Sequence, residues 1–279
     1  MIWLCALVAC MEPTAPQRVR TVTETLVVKP TGPAPADPEC VAVFDCSRGF
    51  CVVTLCEGRL WMGSPETVGT FREHPEIPVD VPTFGLMHTE VTVALYDACA
   101  AAGACPARSV GSAAPCKGQT ANDAVGCLDW GMASDVCTWL GGRLPTAAEW
   151  EFAATNRGQD VSAPWGDAPA TCAHGRLGCG AACDGYVAPG PTCEFQSGVS
   201  EQGLCDLIGN AIEWLEDWHV DGYVDHPRDG SAPVPENPEY RSMRGSGLGS
   251  CAEPRAQFRV YHPPEFAYGG SGVRCAFDL

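Results

Sequence analysis

Apolar and polar positions alternate imperfectly over Val52–Met62 and end in Gly63-Ser64-Pro65, which predicts a strand running into a turn. Val79-Asp80-Val81 and Phe84-Gly85-Leu86 predict a second extended segment with its apolar side inward. The period then lengthens. Thr92 is placed to cap a helix that Glu90-Val91-Thr92 opens, Leu95, Tyr96 and Cys99 recur at helical spacing, and Gly103 stops the run. A second helix, about Met132 to Leu140, carries Val136, Cys137 and Leu140 on one side. Gly141-Gly142 ends it, and Thr146 followed by Glu149 forms a capping box for a third helix within GGRLPTAAEWEFAA. Trp139, Trp150 and Phe152 carry too much aromatic surface to leave in water, so this corner is expected to belong to a core. Beyond Ala154 periodicity is lost for roughly fifty residues.

Composition sharpens the picture of short elements joined by long loops. Among 279 residues, 31 Gly and 24 Pro require much turn and irregular backbone. A net charge of −17 argues against nucleic acid as a partner, because phosphates are held by Lys and Arg clusters that the chain lacks. Eighteen cysteines without the paired CxxC spacing of structural zinc sites read as disulfides. The six histidines, His74, His88, His174, His219, His226 and His262, form no HExxH or HxxxH pair and read as surface or loop residues. No GxSxG nucleophile or GxxxxGK phosphate loop is present.

The N-terminus suggests export. Met1–Ala9 is apolar and uncharged, and Leu7-Val8-Ala9-Cys10 resembles a bacterial lipobox, in which Cys10 would be lipidated. Residues 1–10 read as the signal segment; cleavage before Cys10 would strip Cys5 and keep Cys10 as the capped terminus, leaving sixteen other cysteines, an even number. Residues 11–39, with six prolines, read as an extended tether holding a domain of residues 40–279 off a membrane surface. Cys40, Cys46, Cys51 and Cys56 make a Cys-rich lead-in over 40–56 whose pairing the sequence leaves open.

Seven segments stand in one order: MGS at Met62–Ser64, EVTVALY at Glu90–Tyr96, the GGRLPTAAEWEFAA corner, PWG at Pro164–Gly166, GLCDLIGNAIEW at Gly203–Trp214, RGSG at Arg244–Gly247 and GVRC at Gly272–Cys275. In that order and spacing, over about residues 52–279, the chain resembles the formylglycine-generating enzyme, or sulfatase-modifying factor, family. The resemblance implies a single, irregular, loop-rich α+β domain of C-type lectin-like type, stapled by disulfides. It implies a calcium site on Asp206, Gly209, Ala211 and Glu213, a set of hard oxygen ligands suited to that ion. If calcium is not bound there, Glu213 would be expected simply to face solvent beside Trp214. A second calcium site would involve Asp184 and Tyr186.

The same resemblance implies a disulfide between Cys137 and Cys275, worth on the order of 4 kcal/mol in the chain-entropy model. A further family pair falls on Ala154 and Val260, so both partners are absent together. Catalytic members bind Cu(I) through two thiolates, and those places, counted from Arg244, hold Ser250 and Arg255. Cys251, one residue late, is the weak remaining candidate for that chemistry, and nothing replaces the second thiol. The expected function is therefore a calcium-stabilised binding or scaffold module without copper or oxidase activity, monomeric and lipid-anchored in a bacterial cell envelope. Its partner would be a protein or glycan. The alternative is an active copper oxidase converting a sulfatase cysteine to formylglycine.

Overall fold

A computed structural model describes residues 43–108, 119–177, 183, 188–245 and 254–279. Ten strands and three α-helices lie among them. β1 (Phe44–Asp45), β2 (Val52–Leu55), β5 (Phe84–Met87) and β10 (Ala276–Asp278) form one antiparallel sheet in the order β1-β2-β5-β10. β3 (Gly58–Met62) and β4 (Ile77–Val81) pair separately. β6 (Ile212–Trp218), β7 (Arg241–Arg244), β8 (Arg259–His262) and β9 (Ser271–Gly272) form a third sheet, ordered β8-β7-β6-β9.

The single strand expected over Val52–Met62 is two. β2 joins the first sheet and β3 the second, with Cys56 and Glu57 between them, so a break in partner rather than in hydrophobicity divides the run. The second extended segment divides likewise into β4 and β5. α1 (Val93–Ala101) begins as expected, with Thr92 Oγ1 accepting from Leu95 N at 3.3 Å. α2 (Trp130–Trp139) starts two residues before the expected position because Asp129 caps it, accepting from Met132 N at 2.8 Å.

α3 (Ala147–Ala154) is buried along its whole length. Thr146 Oγ1 accepts from Glu149 N at 3.1 Å and Glu149 Oε2 accepts from Thr146 N at 2.9 Å, completing the capping box. Trp150 and Phe152 enter the core with Leu60, Met62, Val79, Phe84 and Leu215. Trp139 does not. It closes α2 on the side away from Ala133, Val136 and Cys137 and remains 38% exposed. Gly142 lies so close to β10 that a Cβ would sit 2.4 Å from Ala276 O, which explains a glycine where the corner crosses the sheet.

Five disulfides join described cysteines: 46–51, 99–105, 137–275, 172–183 and 193–205. Cys137–Cys275 fastens α2 to the residue before β10, as the family resemblance implies. No helix among the described residues is long and apolar enough to cross a membrane. Residues 1–39, and with them Cys10 and the tether, lie outside the described residues, as do Cys40, Asp184, Tyr186, Ser250 and Cys251.

Candidate functional site

Before β6 the backbone is tightly wound, with Asp206 (φ 55°), Gly209 (φ 95°) and Asn210 (φ 55°) all in the left-handed region. Such conformations strain non-glycine residues and persist where surrounding contacts fix them. Here the contacts are visible: Asp206 Oδ2 accepts from Cys193 N, and Asn210 Oδ1 accepts from Gly190 N at 2.9 Å. Asn210 Nδ2 donates to Glu90 Oε1 at 3.0 Å. Entry into β6 then points Glu213 inward.

β6 runs parallel to β9, with Glu213 opposite Gly272, and this register brings Arg274 alongside Glu213. Arg274 Nε lies 2.9 Å from both oxygens of Glu213, and its Nη2 lies 2.8 Å from Oε1. The guanidinium also donates to Cys205 O at 2.8 Å, so it ties β6, the wound loop and the C-terminal segment together. Trp150 Nε1 donates to Glu213 Oε2 at 2.7 Å, linking the corner helix to the same carboxylate. Glu213 is fully buried and does not face solvent.

Glu90, Asp206 and Glu213 are three buried carboxylates about one buried guanidinium, Arg274; the nearby Arg176 is paired with Glu194 at 2.6 Å. Glu90 Oε2 is buried with no hydrogen-bond partner among the described residues. Burial, reinforced by the charge of Asp206, pushes the Glu90 carboxyl well above the ordinary carboxylate range while Arg274 opposes the shift. Burial likewise raises Asp206. Excess buried negative charge and an orphaned carboxylate oxygen suit a hard divalent cation held by oxygens. The predicted residues Asp206, Gly209, Ala211 and Glu213 all lie in this one stretch, each buried.

Glu90 and Arg274 were absent from the predicted set. Glu90 stood in the sequence only as part of a helix opening and Arg274 only as part of a motif string. A lone acid just before an apolar helical run was the available signal for the first.

A second buried cluster lies at the end of β7. Arg244 donates to Glu151 Oε2 at 2.6 Å, to Tyr223 Oη at 2.8 Å and to Ala256 O at 2.8 Å. Burial raises Glu151 to about 7 against the opposing charge of Arg244. Arg255 is not a bystander: its guanidinium makes a two-pronged pair with Glu73, at 2.9 and 3.2 Å, beside Ser64. Nearby, His219 Nδ1 accepts from Arg259 at 2.9 Å and its ring stacks on Tyr261 with centroids 4.0 Å apart. His226 is buried against Asp217 and Tyr223; it and His219 are loop residues, as expected, but their side chains are turned away from solvent.

Short helices, three small sheets, long disulfide-held loops and an oxygen-rich loop before the central strand define a C-type lectin-like α+β domain of the formylglycine-generating-enzyme type. The model of the sulfatase-modifying factor enzyme 1-like domain matches residues 46–279, and the chain belongs to that family. It is 29% identical over 168 residues to a formylglycine-generating enzyme of Thermomonospora curvata, covering 54% of each chain. It is 29% identical over 160 residues to the inactive C-alpha-formylglycine-generating enzyme 2 of Mus musculus, covering 53% of this chain and 47% of the relative. The chain thus spans about half the length of these curated relatives. The solved structure of PvdO from Pseudomonas aeruginosa superposes with a TM-score of 0.71 at 26% identity, covering 86% of this chain and 98% of that one.

Proposed function

We propose that this domain is a non-oxidase member of its family, a calcium-stabilised module that binds or scaffolds a protein or glycan partner. The observation that carries the reading is Arg255. It occupies the place that the second copper-binding cysteine takes in catalytic members, and its charge is committed to Glu73 in a buried pair. Two soft thiolates are needed for the Cu(I) site, and a paired guanidinium supplies none. The mouse relative that bears the name of an inactive enzyme supports the same reading.

For calcium, the Asp206 carboxylate, the Gly209 and Ala211 carbonyls and the Glu213 carboxylate would hold the ion, with Glu90 adding charge behind Asn210. The bound ion supplies charge neutralisation; the chain's own residues supply the wound loop and the Arg274 clamp that orient those oxygens. The apolar Met1–Ala9 run and the lipobox-like Leu7–Cys10 support export and lipid anchoring in a bacterial envelope, with a monomeric domain carried on its tether.

The decisive assay incubates the oxidised, copper-loaded chain with a sulfatase CxPxR peptide and follows loss of the thiol to aldehyde by mass spectrometry. No conversion is expected. Robust turnover would overturn the reading in favour of an active oxidase using Cys251.

A further inference from the structure

One residue before Asp206, Cys205 is bonded to Cys193, and both sulfurs lie 3.6 Å from His88 Nε2. The ligand atoms of these three side chains lie within 4.8 Å of one another. His88 is fixed on several sides. Its N donates to Cys51 O and its O accepts from Cys205 N, each at 2.9 Å, while Nδ1 lies 2.6 Å from Gly203 O. Since a carbonyl can only accept, Nδ1 carries the proton and Nε2 presents its lone pair to the sulfurs. A disulfide sulfur bears no hydrogen, so that lone pair meets no donor there. Phe44 stands edge-on to the imidazole at 4.8 Å between centroids.

We propose that Cys193, Cys205 and His88 form a redox-gated site for a borderline-soft divalent cation of the zinc class, closed as the disulfide and opened by a dithiol reductant. The dithiol donates two electrons and two protons: the Cys193–Cys205 bond breaks, two thiols form and the reductant leaves as its own disulfide. The cation then replaces the two thiol protons, which pass to solvent, and binds both thiolates and neutral His88 Nε2. Two thiolates and one imidazole neutralise a divalent ion and leave a fourth position for water or an external ligand, the pattern of open zinc sites.

The geometry is nearly built. Zn–S near 2.3 Å and Zn–N near 2.0–2.1 Å at a tetrahedral angle imply a sulfur-to-nitrogen edge of about 3.5–3.6 Å, and both observed separations are 3.6 Å. Only the sulfurs must part, to about 3.8 Å on the same tetrahedral geometry. The Nδ1 hydrogen bond to Gly203 O is the outer contact that fixes tautomer and ring orientation in metal-bound histidines. This site uses soft ligands and stands independently of the calcium reading, which uses oxygens.

The test uses the full chain, reduced anaerobically with a dithiol, freed of reductant and kept in excess Ca²⁺ so that oxygen sites stay filled. Titration with Co²⁺, a spectroscopic stand-in for Zn²⁺, should give thiolate-to-cobalt charge transfer and tetrahedral d–d bands saturating at one equivalent and bleached by Zn²⁺. The oxidised chain should give neither. His88→Ala should weaken Co²⁺ binding at least tenfold, and Cys193→Ser with Cys205→Ser should abolish the bands. Full bands in that double variant, or none in the reduced wild type, would overturn the site. Alkylation mapping after limited reduction provides a readout that survives loosening of the other disulfides. Zn²⁺ should protect Cys193 and Cys205 in the wild type and not in His88→Ala; equal labelling with and without Zn²⁺ overturns the proposal.

Discussion

Two buried arginine clusters flank α3, and they differ in charge. At the end of β7, Arg244 meets Glu151 and Arg255 meets Glu73, two cations for two anions, with Tyr223 and Ser64 taking further hydrogen bonds. At the start of β6, Arg274 faces Glu90, Asp206 and Glu213, and Glu90 Oε2 lacks a hydrogen-bond partner among the described residues. In the first cluster the charges balance within the protein. Among the described residues the second carries more carboxylates than cations close to them, the kind of excess that a bound cation or a proton would relieve. A buried ion pair therefore says little by itself; the count of charges around it separates a foundation from a site.

The comparison breaks most visibly if each arginine is removed. Arg244→Met strands Glu151 and Arg274→Met strands Glu213, and each should cost about 3–5 kcal/mol in urea unfolding. The partners distinguish the clusters. Arg244→Met combined with Glu151→Leu should recover most of that loss, because a balanced pair replaced by apolar groups is often near neutral. Arg274→Met combined with Glu213→Leu should recover little, since Glu90 and Asp206 stay buried and lose the guanidinium that acts on both of them. Equal recovery in both double variants would erase the distinction.

Calcium, if the proposed site binds it, should be the next largest lever. At a free concentration of 100 times Kd, a bound ion stabilises by about 2.7 kcal/mol, and chelation should lower Tm accordingly. Asp206→Asn should diminish that chelator-sensitive shift and Glu151→Gln should leave it intact. A shift untouched by Asp206→Asn would place the ion elsewhere.

These clusters also mark how far the sequence could be read. The capping box of α3 was legible because Thr146 and Glu149 act across three positions; Thr146→Ala should cost about 1 kcal/mol, measured by thermal unfolding, more if the bond from its hydroxyl to Gly230 O is also counted. Asp206 and Glu213 were legible because one contiguous motif carries both. Glu90 was not, since Asn210, which binds it, lies 120 positions away and nothing local in EVTVALY records the contact. Trp139 was misplaced because helical spacing gives a residue's angle around α2 but not whether chain packs on that side of its last turn. The surroundings of His88 were hidden for a related reason. His88 is held by a carbonyl and lies beside two sulfurs brought in by the fold, neighbours that no spacing rule could reveal.

The smallest expected effect is one of pH, and it sharpens the contrast within the balanced cluster. His219 is pushed down to about 4 from an ordinary value near 6.5, first by burial and then by the charge of Arg259. Its folded pKa lies below its unfolded value, so the stability it contributes is full above about pH 6.5 and is lost as pH falls towards 4. Glu151 runs the other way. Raised to about 7 from near 4.5, it favours the folded state at low pH and loses that contribution as pH climbs through 7. Between about pH 4.5 and 6.5 the two oppose each other. His219→Gln should therefore make stability rise more, relative to wild type, as pH is lowered through that window, and Glu151→Gln should make it fall more. Urea midpoints collected every half unit of pH would show the two curves tilting in opposite senses; parallel curves would mean that neither group titrates as its surroundings dictate.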